Sequence, residues 1–591
     1  MDKIVFINAN INLFYLFLRN RIQHGPVKKY LCSILLFINC CFSGSGEGLV
    51  RGITLLSDDT EKAMLAIEAG AANGVNHLQL SHRIIHSLCE IRDPGKQRAV
   101  AELCSFAHEK GIEEVCLWDH CLYDTDYYPA GFKYPGTGLL DLDNEGLWDW
   151  IKEDYRQMMR LCPEADGIVL TFIESGARVE WQRSAMSTPQ RLAKIISSVS
   201  SVICGELGKK LWLRTFAYTA EEYADISESL DSVEWLPGMG IMVKETPHDF
   251  FAFHPDNPYV GLLKHPTLVE FDACGEYNGQ GVILSTRPGA LIQRWGRYSQ
   301  QPNVVGFTAR TDRMGRSQIF CTPGELNIYA LLRAGDTPGI TTEKVCRDFV
   351  SERYGPKAVR HLVPALLAGG SVIDGTMYIM GLSTTHHSKL DFEDQSTYAR
   401  HVPARWTQGK TVRLGHGVNK RFHWWKDLVN ILAPPALKSP DGRQAHEIDE
   451  AFSKGWLDQD ENITPKYVRY IDRWTERCIK DARKGQRHLR KARRALDKSE
   501  YRELSDLYER SLMCLRLRRS AAICYWGGRA WQRDGGRYRS RGLRRRINRA
   551  CNQLDKSLEA YRRYDKPYPS AAWDWKSDAE AAAHYRFHAD D

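Results

Sequence analysis

The sequence predicts an α/β fold, a (β/α)₈ TIM barrel, followed by a mainly α-helical carboxyl-terminal domain. Three observations predict it. Between residue 50 and about residue 312, short apolar runs alternate with longer segments of helical period, the pattern of parallel strands covered on both faces. Eight such runs fit within about 260 residues, the usual size of such a barrel. Beyond about residue 350 the strand patterns fade and helical stripes replace them. The competing fold, a doubly wound open sheet, lacks its glycine-rich phosphate fingerprint after the first run.

In chain order, the strands are expected at 50–56, 74–80, 111–118, 166–173, 210–216, 239–244, 266–271 and 303–309. Helices are expected between most of them, at 59–72, 95–110, 146–161 and 188–207. In the carboxyl-terminal part, Thr464-Pro465 has the form of a helix N-cap followed by a first helical residue. The stripe Val468, Ile471, Trp474 and Cys478 then keeps helical spacing, as does Leu504, Leu507, Tyr508 and Leu515. The organisation expected is an extension over 1–49, a barrel over 50–350 and a helical region over 351–591.

The chain of 591 residues is 43% hydrophobic and 26% charged, which excludes disorder, collagen-like repeats and a coiled-coil rod. After residue 50 no apolar run approaches the ~20 residues that span a bilayer, so a soluble body is expected. The net charge of +8 hides a polarity. Residues 481–550 hold 22 Lys/Arg against 7 Asp/Glu, so the rest of the chain is net acidic. Such a face is either a solvated helix surface or a site for nucleic acid or an acidic polymer. No aromatic-interleaved motif accompanies it, so no nucleic-acid partner is expected. There are 16 cysteines but no C-x-x-C, and Cys274 and Cys321 have apolar neighbours in sequence. Neither a zinc site nor a disulfide framework is expected, and no metal.

Residues 1–50 hold two apolar stretches. The second, from Lys28-Lys29 through an apolar run to Ser43-Gly44-Ser45-Gly46, has the charge, run and small residues of an export signal. Export is therefore expected, although the unpaired cysteines weigh against an oxidising compartment.

A barrel of this kind places its chemistry just beyond the carboxyl ends of the strands. The polar residues there are Ser81-His82-Arg83 after the second run, Asp119 and His120 (with Trp118 before them) after the third, and Glu174 after the fourth. Arg214 and Tyr218 follow the fifth; Lys244, Glu245, His248 and Asp249 the sixth; Asp272 and Glu276 the seventh; Arg310, Asp312 and Arg313 the eighth. The loops add Tyr123, Tyr127, Tyr128, Phe132, Tyr134, Trp181, Phe250, Phe253 and Tyr277. Carboxylates converging with aromatic faces suit the holding and cleavage of sugars.

Three segments resemble the α-glucuronidases of glycoside hydrolase family 67. Leu211-Trp-Leu-Arg-Thr-Phe216 resembles their fifth-strand W-R-x-F, and Ile241-Met-Val-Lys-Glu-Thr-Pro-His-Asp-Phe250 their sixth-strand V-K-x-x-P-x-D-F. Leu268-Val-Glu-Phe-Asp-Ala-Cys-Gly-Glu-Tyr277 resembles their seventh-strand E-F-x-x-x-x-E-Y, in the same order and spacing. The resemblance implies an exo-acting, inverting hydrolase that releases an α-linked glucuronic acid or related uronic acid, with no cofactor. It implies Asp249 and Glu276 at the base positions, Glu174 as the acid, and Arg214 and Lys244 on the sugar's carboxylate. Trp118, Asp119, His120, Tyr277 and Arg310 complete the expected substrate contacts. The family's Lys-x-x-Ser-Glu-Gly departs here to Thr171-Phe-Ile-Glu-Ser-Gly176, and its amino-terminal sheet domain has no counterpart before Val50. These departures suggest a diverged member, and the resemblance implies a uronate-bearing oligosaccharide as partner and a homodimer contact through the helical region.

On physical grounds the acid needs a raised pKa, which burial beside Phe172 and Ile173 would supply, and Lys244 would keep the base ionised. Glu180, Asp119 and Glu245 are the next candidates for the acid. The competing functions are a carbohydrate-binding barrel without catalysis and a basic-tailed nucleic-acid-associated protein.

Overall fold

The computed structural model describes residues 48–591 apart from 218–219, 247–248, 251, 253–255, 258, 314–317, 380–381, 384, 391–463, 570–572, 588 and 590–591. The expected export signal, Tyr218, His248 and Phe253 thus lie outside the described residues.

Eight strands close into one parallel barrel in chain order: β1 (Val50–Leu55), β2 (His77–Leu80), β3 (Glu114–His120), β4 (Gly167–Thr171), β5 (Lys210–Arg214), β6 (Met239–Lys244), β7 (Thr267–Asp272) and β8 (Val304–Arg310). Closure is by β1 on β8, in register from Val50↔Gly306 to Thr54↔Arg310. Every expected strand is present. The two largest differences are at the starts of β2 and β3, each later than the apolar run suggested. Gly74 and Gly111 have φ of +85° and +89°, so these residues turn the chain out of a helix before the strand begins.

Around the barrel lie α1 (Thr60–Ala72), α2 (Pro94–Glu109), α3 (Glu145–Leu161), α4 (Thr188–Ser200), α5 (Ala220–Ser232), α6 (Pro288–Tyr298) and α7 (Glu325–Asp336). Their starts follow from local chemistry. Asp59 accepts from the Lys62 amide and Asp93 from the Gly95 and Lys96 amides, with Pro94 opening α2. The helix expected over 188–207 ends at Ser200 and continues as a wider π-type turn, Ser201–Glu206.

Alternation along the strands decides what enters the barrel. Cys116, Trp118, Val169, Trp212, Met242 and Leu268 form its packed interior. Gly240 is required there, because a Cβ on it would sit 2.2 Å from the Trp212 ring. A buried polar belt crosses the same interior. Thr54 bonds Gln79 (3.0 Å) and Thr308 (2.9 Å), and Trp118 Nε1 donates to Gln79 (3.1 Å).

Beyond the barrel come α8 (Thr342–Tyr354), α9 (Val359–Leu366), α10 (Gly369–Thr376), two short hairpins, β9–β10 (Tyr378–Ile379, Leu382–Ser383) and β11–β12 (Thr385–His386, Lys389–Leu390), then α11 (Pro465–Ala492), α12 (Lys498–Gln532), α13 (Arg541–Arg563) and α14 (Asp578–Ala583). Thr464 caps α11 through the Tyr467 amide, as expected. The stripes Val468, Ile471, Cys478 and Leu504, Leu507, Tyr508, Leu515 are buried; Trp474 is half-buried. Barrel and helices belong to one compact unit, Val50–Asp591. From α12, Arg510 Nε donates to the Val282 carbonyl, and Ser511 Oγ accepts from the Leu284 amide (2.9 Å). Both partners lie in the long loop after β7. The thirteen described cysteines are free thiols. Cys274 is buried, but Cys321 is exposed, which corrects the apolar setting its sequence neighbours suggested. No described helix is long and apolar enough to cross a membrane.

Candidate active site

The inward side chains at the carboxyl ends of β5 to β8 make one charged layer at the mouth. Arg214, Lys244, Glu270 and Arg310 share the inward parity of their strands, and the sheet register sets Lys244 beside Glu270. Glu270 has no exposed surface and accepts from Arg214 Nε (2.9 Å) and Arg310 Nε (2.8 Å). Burial pushes its carboxyl up, but Arg214, Arg310 and Lys244 outweigh this and hold it below the usual range.

From Glu270 the two arginines reach outward to different carboxylates. Arg214 Nη1 donates to Glu174 (3.2 Å), and Arg310 Nη1 to Glu276 (2.8 Å). Glu276 also meets Arg313 (3.1 Å) and His387 Nδ1 (2.5 Å), the latter from the turn between β11 and β12. Despite burial, Arg313, His387 and Arg310 hold Glu276 well below the usual carboxylate range. Asp249, at φ +51°, takes Lys244 Nζ at 2.5 Å and the Tyr277 hydroxyl at 2.6 Å. Lys244 lies 3.6 Å from the Phe216 ring centre and 4.7 Å from that of Phe250. Burial, with Arg214 and Arg310 nearby, draws its pKa down against the pull of Asp249.

Trp118 floors this layer, with the Arg214 guanidinium 4.7 Å above its ring. Beside it stand His82, at φ +50°, and His120, which stacks on His86 at 3.9 Å. Burial, then Arg310 and Arg313, keep His82 well below its ordinary pKa. Burial and His86 bring His120 down to about 3. Both imidazoles are therefore neutral near pH 7, and the cations of the mouth are arginines and a lysine.

No protein-family model matches the sequence, and no curated protein matches it. Among solved structures, it is similar to a GH138 enzyme targeting pectin rhamnogalacturonan II, with a TM-score of 0.56 at 11% identity over 91% of this chain and 66% of that one. The chain thus spans just under two thirds of that protein's length. The likeness is one of fold, a closed eight-stranded parallel barrel followed by helices. The chain also matches a mutant O-GlcNAc hydrolase of Thermobaculum terrenum (TM-score 0.42, 10% identity, 91% of this chain and 92% of that one) and CpGH84D (0.40, 10%, 91% and 74%).

Of the expected site residues, Arg214, Lys244, Asp249, Glu276, Tyr277, Arg310, Trp118 and Glu174 meet at the mouth, and His120 adjoins it. Asp119 does not. Its parity on β3 turns it outward, where it is fully buried and accepts from the Leu88 amide and the Tyr123 and Tyr155 hydroxyls. It ties β3 to α3 instead of touching a ligand. Glu174 also differs from expectation. Its side chain is 31% exposed and ion-paired with Arg214, not enclosed by Phe172 and Ile173. The reserve candidates are engaged elsewhere, Glu180 with Arg178 (2.6 Å) and Glu245 with Arg294 (2.9 Å). Tyr123, Tyr127 and Tyr128 pack on one another behind Asp119, whereas Trp181 is 64% exposed.

Sequence reasoning missed Glu270 and His387. Glu270 stands inside a quoted motif and shares inward parity with Arg310, which would have found it. His387 lies outside the barrel segment, and no local signal marks it. At the opposite end of the barrel, His77, Glu114 and Cys116 bring three metal-capable atoms within 4.8 Å of one another, and Glu114 there accepts from Trp212 Nε1 (2.7 Å).

Proposed function

We propose that the protein is an exo-acting, inverting glycoside hydrolase that releases an α-linked glucuronic acid, or a related uronic acid, from an oligosaccharide. The observation that carries this is the mouth itself, where Glu174, Asp249 and Glu276 surround a cationic layer of Arg214, Lys244, Arg310 and Arg313. Uronate recognition asks for guanidinium and ammonium donors beside the sugar. Inverting hydrolysis asks for one carboxyl to protonate the leaving oxygen and another to activate water across the ring.

The partners sort the carboxylates. Glu276 is held ionised by Arg310 and Arg313, with His387 against it, so it is unsuited to be the acid and orients the two arginines. Asp249, gripped by Lys244 and the Tyr277 hydroxyl, is the base for water. Glu174, the most exposed of the three, is the acid, in keeping with its place after β4.

The test is a screen of uronate-bearing oligosaccharides, with fragments of pectin rhamnogalacturonan II first, since the GH138 neighbour targets that glycan. Product anomers are followed by NMR. Release of a free uronic acid with inverted configuration is expected. Retention would reassign Asp249 as a nucleophile, and binding without release would leave a carbohydrate-binding barrel.

A further inference from the structure

The excess of positive charge between residues 481 and 550 has a definite place in the fold. Two cavities of about 390 and 530 Å³ adjoin on the outer face of α11, α12 and α13, sharing Arg549 and Asn552 in their walls. The acidic residues of the first, Asp472 and Glu476, are already engaged. Arg519 bonds both and Arg546 reaches Asp472 as well. Arg483, Arg516, Arg549 and Lys556 remain along its rim, and Arg541 and Arg545 continue the row into the second; all six are exposed.

These cations crowd one another. Burial and Arg483 draw the Arg516 pKa down, and burial, Arg469 and Arg549 do the same to Arg546. Like charges held this close are destabilising unless an anion lies among them. The row along α13 from 541 to 556 is about 22 Å long, so its complement is an extended polyanion.

We propose that this groove binds an acidic polysaccharide chain, a second site that holds the polymer while the barrel mouth works on its ends or branches. The choice of polymer rests on the reading of the mouth as a uronate site. Two features of the groove agree with it. Among the described residues no aromatic side chain lines either cavity, so bases have no stacking platform. Instead Asn548, Asn552 and Gln553 stand among the arginines, offering amide partners for sugar hydroxyls.

The experiment uses the full chain and the triple variant Arg516→Gln/Arg545→Gln/Arg549→Gln, with melting temperature checked for both. Binding to polygalacturonate, neutral dextran and a short DNA duplex is measured by calorimetry at low and physiological salt. The expected result is binding of polygalacturonate but not dextran, weakened by salt. The triple variant should bind about tenfold or more weakly, since three exposed charge contacts are lost. Release of uronic acid from short oligosaccharides should be unchanged. Failure of the wild type to bind polygalacturonate, equal binding by the variant, or tighter binding of DNA than of polygalacturonate would each overturn the proposal. The mouth is judged separately by the oligosaccharide assay, so loss of one reading is distinguishable from loss of the other.

Discussion

Two buried charge systems in this protein use the same residue types in different ways. In the helical domain, Arg518 and Asp578 form a buried ion pair closed mainly by neutral groups. Arg518 also donates to the Thr376 and Ser388 carbonyls, while Asp578 accepts from the Leu390 amide and Trp573 Nε1. At the barrel mouth each charge is met by other charges, and the chain of contacts runs outward to carboxylates that keep solvent exposure, 17% for Asp249 and 31% for Glu174. A pair closed on backbone partners has one arrangement. A layer of alternating cations and anions with an open edge can exchange a protein carboxylate for a ligand's. The first arrangement is structural, and the second is that of a site.

The two are also linked. Arg518 fixes the Ser388 carbonyl, and Ser388 Oγ donates to the Glu276 carbonyl and accepts from the Gly279 amide. The neighbouring His387 is thereby held on Glu276. The helical domain thus sets one wall of the mouth.

Substitution on each side should separate these roles. Arg518→Met strands Asp578 without its countercharge, and such losses cost about 3–5 kcal/mol. Calorimetric or denaturant unfolding should show that loss. Asp249→Asn should cost less stability than that, because asparagine accepts positive φ as readily as aspartate, keeps an oxygen for Lys244, and leaves Glu270 beside the ammonium. Turnover should instead fall ~10²–10⁴-fold, the usual cost of losing a general base. If Asp249→Asn unfolds the protein while turnover per folded molecule persists, the mouth is structural too and the contrast collapses.

A narrower test bears on the ligand's charge. Lys244→Met keeps an unbranched apolar chain between Phe216 and Phe250 and removes the ammonium that lies over both rings. Hydrogen bonds to charged groups are worth about 1.5–3 kcal/mol, so the kcat/KM for a uronate substrate should drop about 10–100-fold. Its neutral counterpart should lose much less. Equal losses on both would show that Lys244 serves Asp249 alone.

The barrel was legible because its signal is repeated. Continuous apolar runs mark each of the eight strands, and the strand ends then point to the mouth. Arg214, Lys244, Asp249 and Glu276 could be found from their places after those strands. Asp119 was misplaced for a reason of parity, since one residue's step along β3 exchanges the mouth for the helix layer. Glu174 was misjudged because its setting depends on Arg214, which arrives from the next strand. His387 was out of reach altogether. Its position is fixed by α12, through contacts separated by more than a hundred residues in sequence.

The smallest effect expected concerns pH, and it sharpens the picture of neutral histidines in a cationic mouth. His120 donates from Nδ1 to the His86 carbonyl and is held near pKa 3, well below the ordinary 6.5. Between these values the unfolded chain takes up a proton that the folded protein refuses. Stability should therefore decline as pH falls from about 6.5, by about 1.4 kcal/mol per pH unit at most from this one group. Below about pH 4.5 Glu276, whose folded pKa is depressed, adds a decline of the same sign. Asp272 and Asp312 act in the opposite direction. Burial raises both to about 6, so between pH 6 and 4 the folded protein holds their protons more firmly and gains stability as pH falls. The wild-type profile mixes these slopes, but the difference from a His120→Gln variant isolates one. That variant should show a shallower loss between pH 6.5 and 4.5 in urea unfolding. Parallel curves for the two proteins would mean that His120 titrates normally in the folded state, and that the mouth is less closed and less cationic than its contacts indicate.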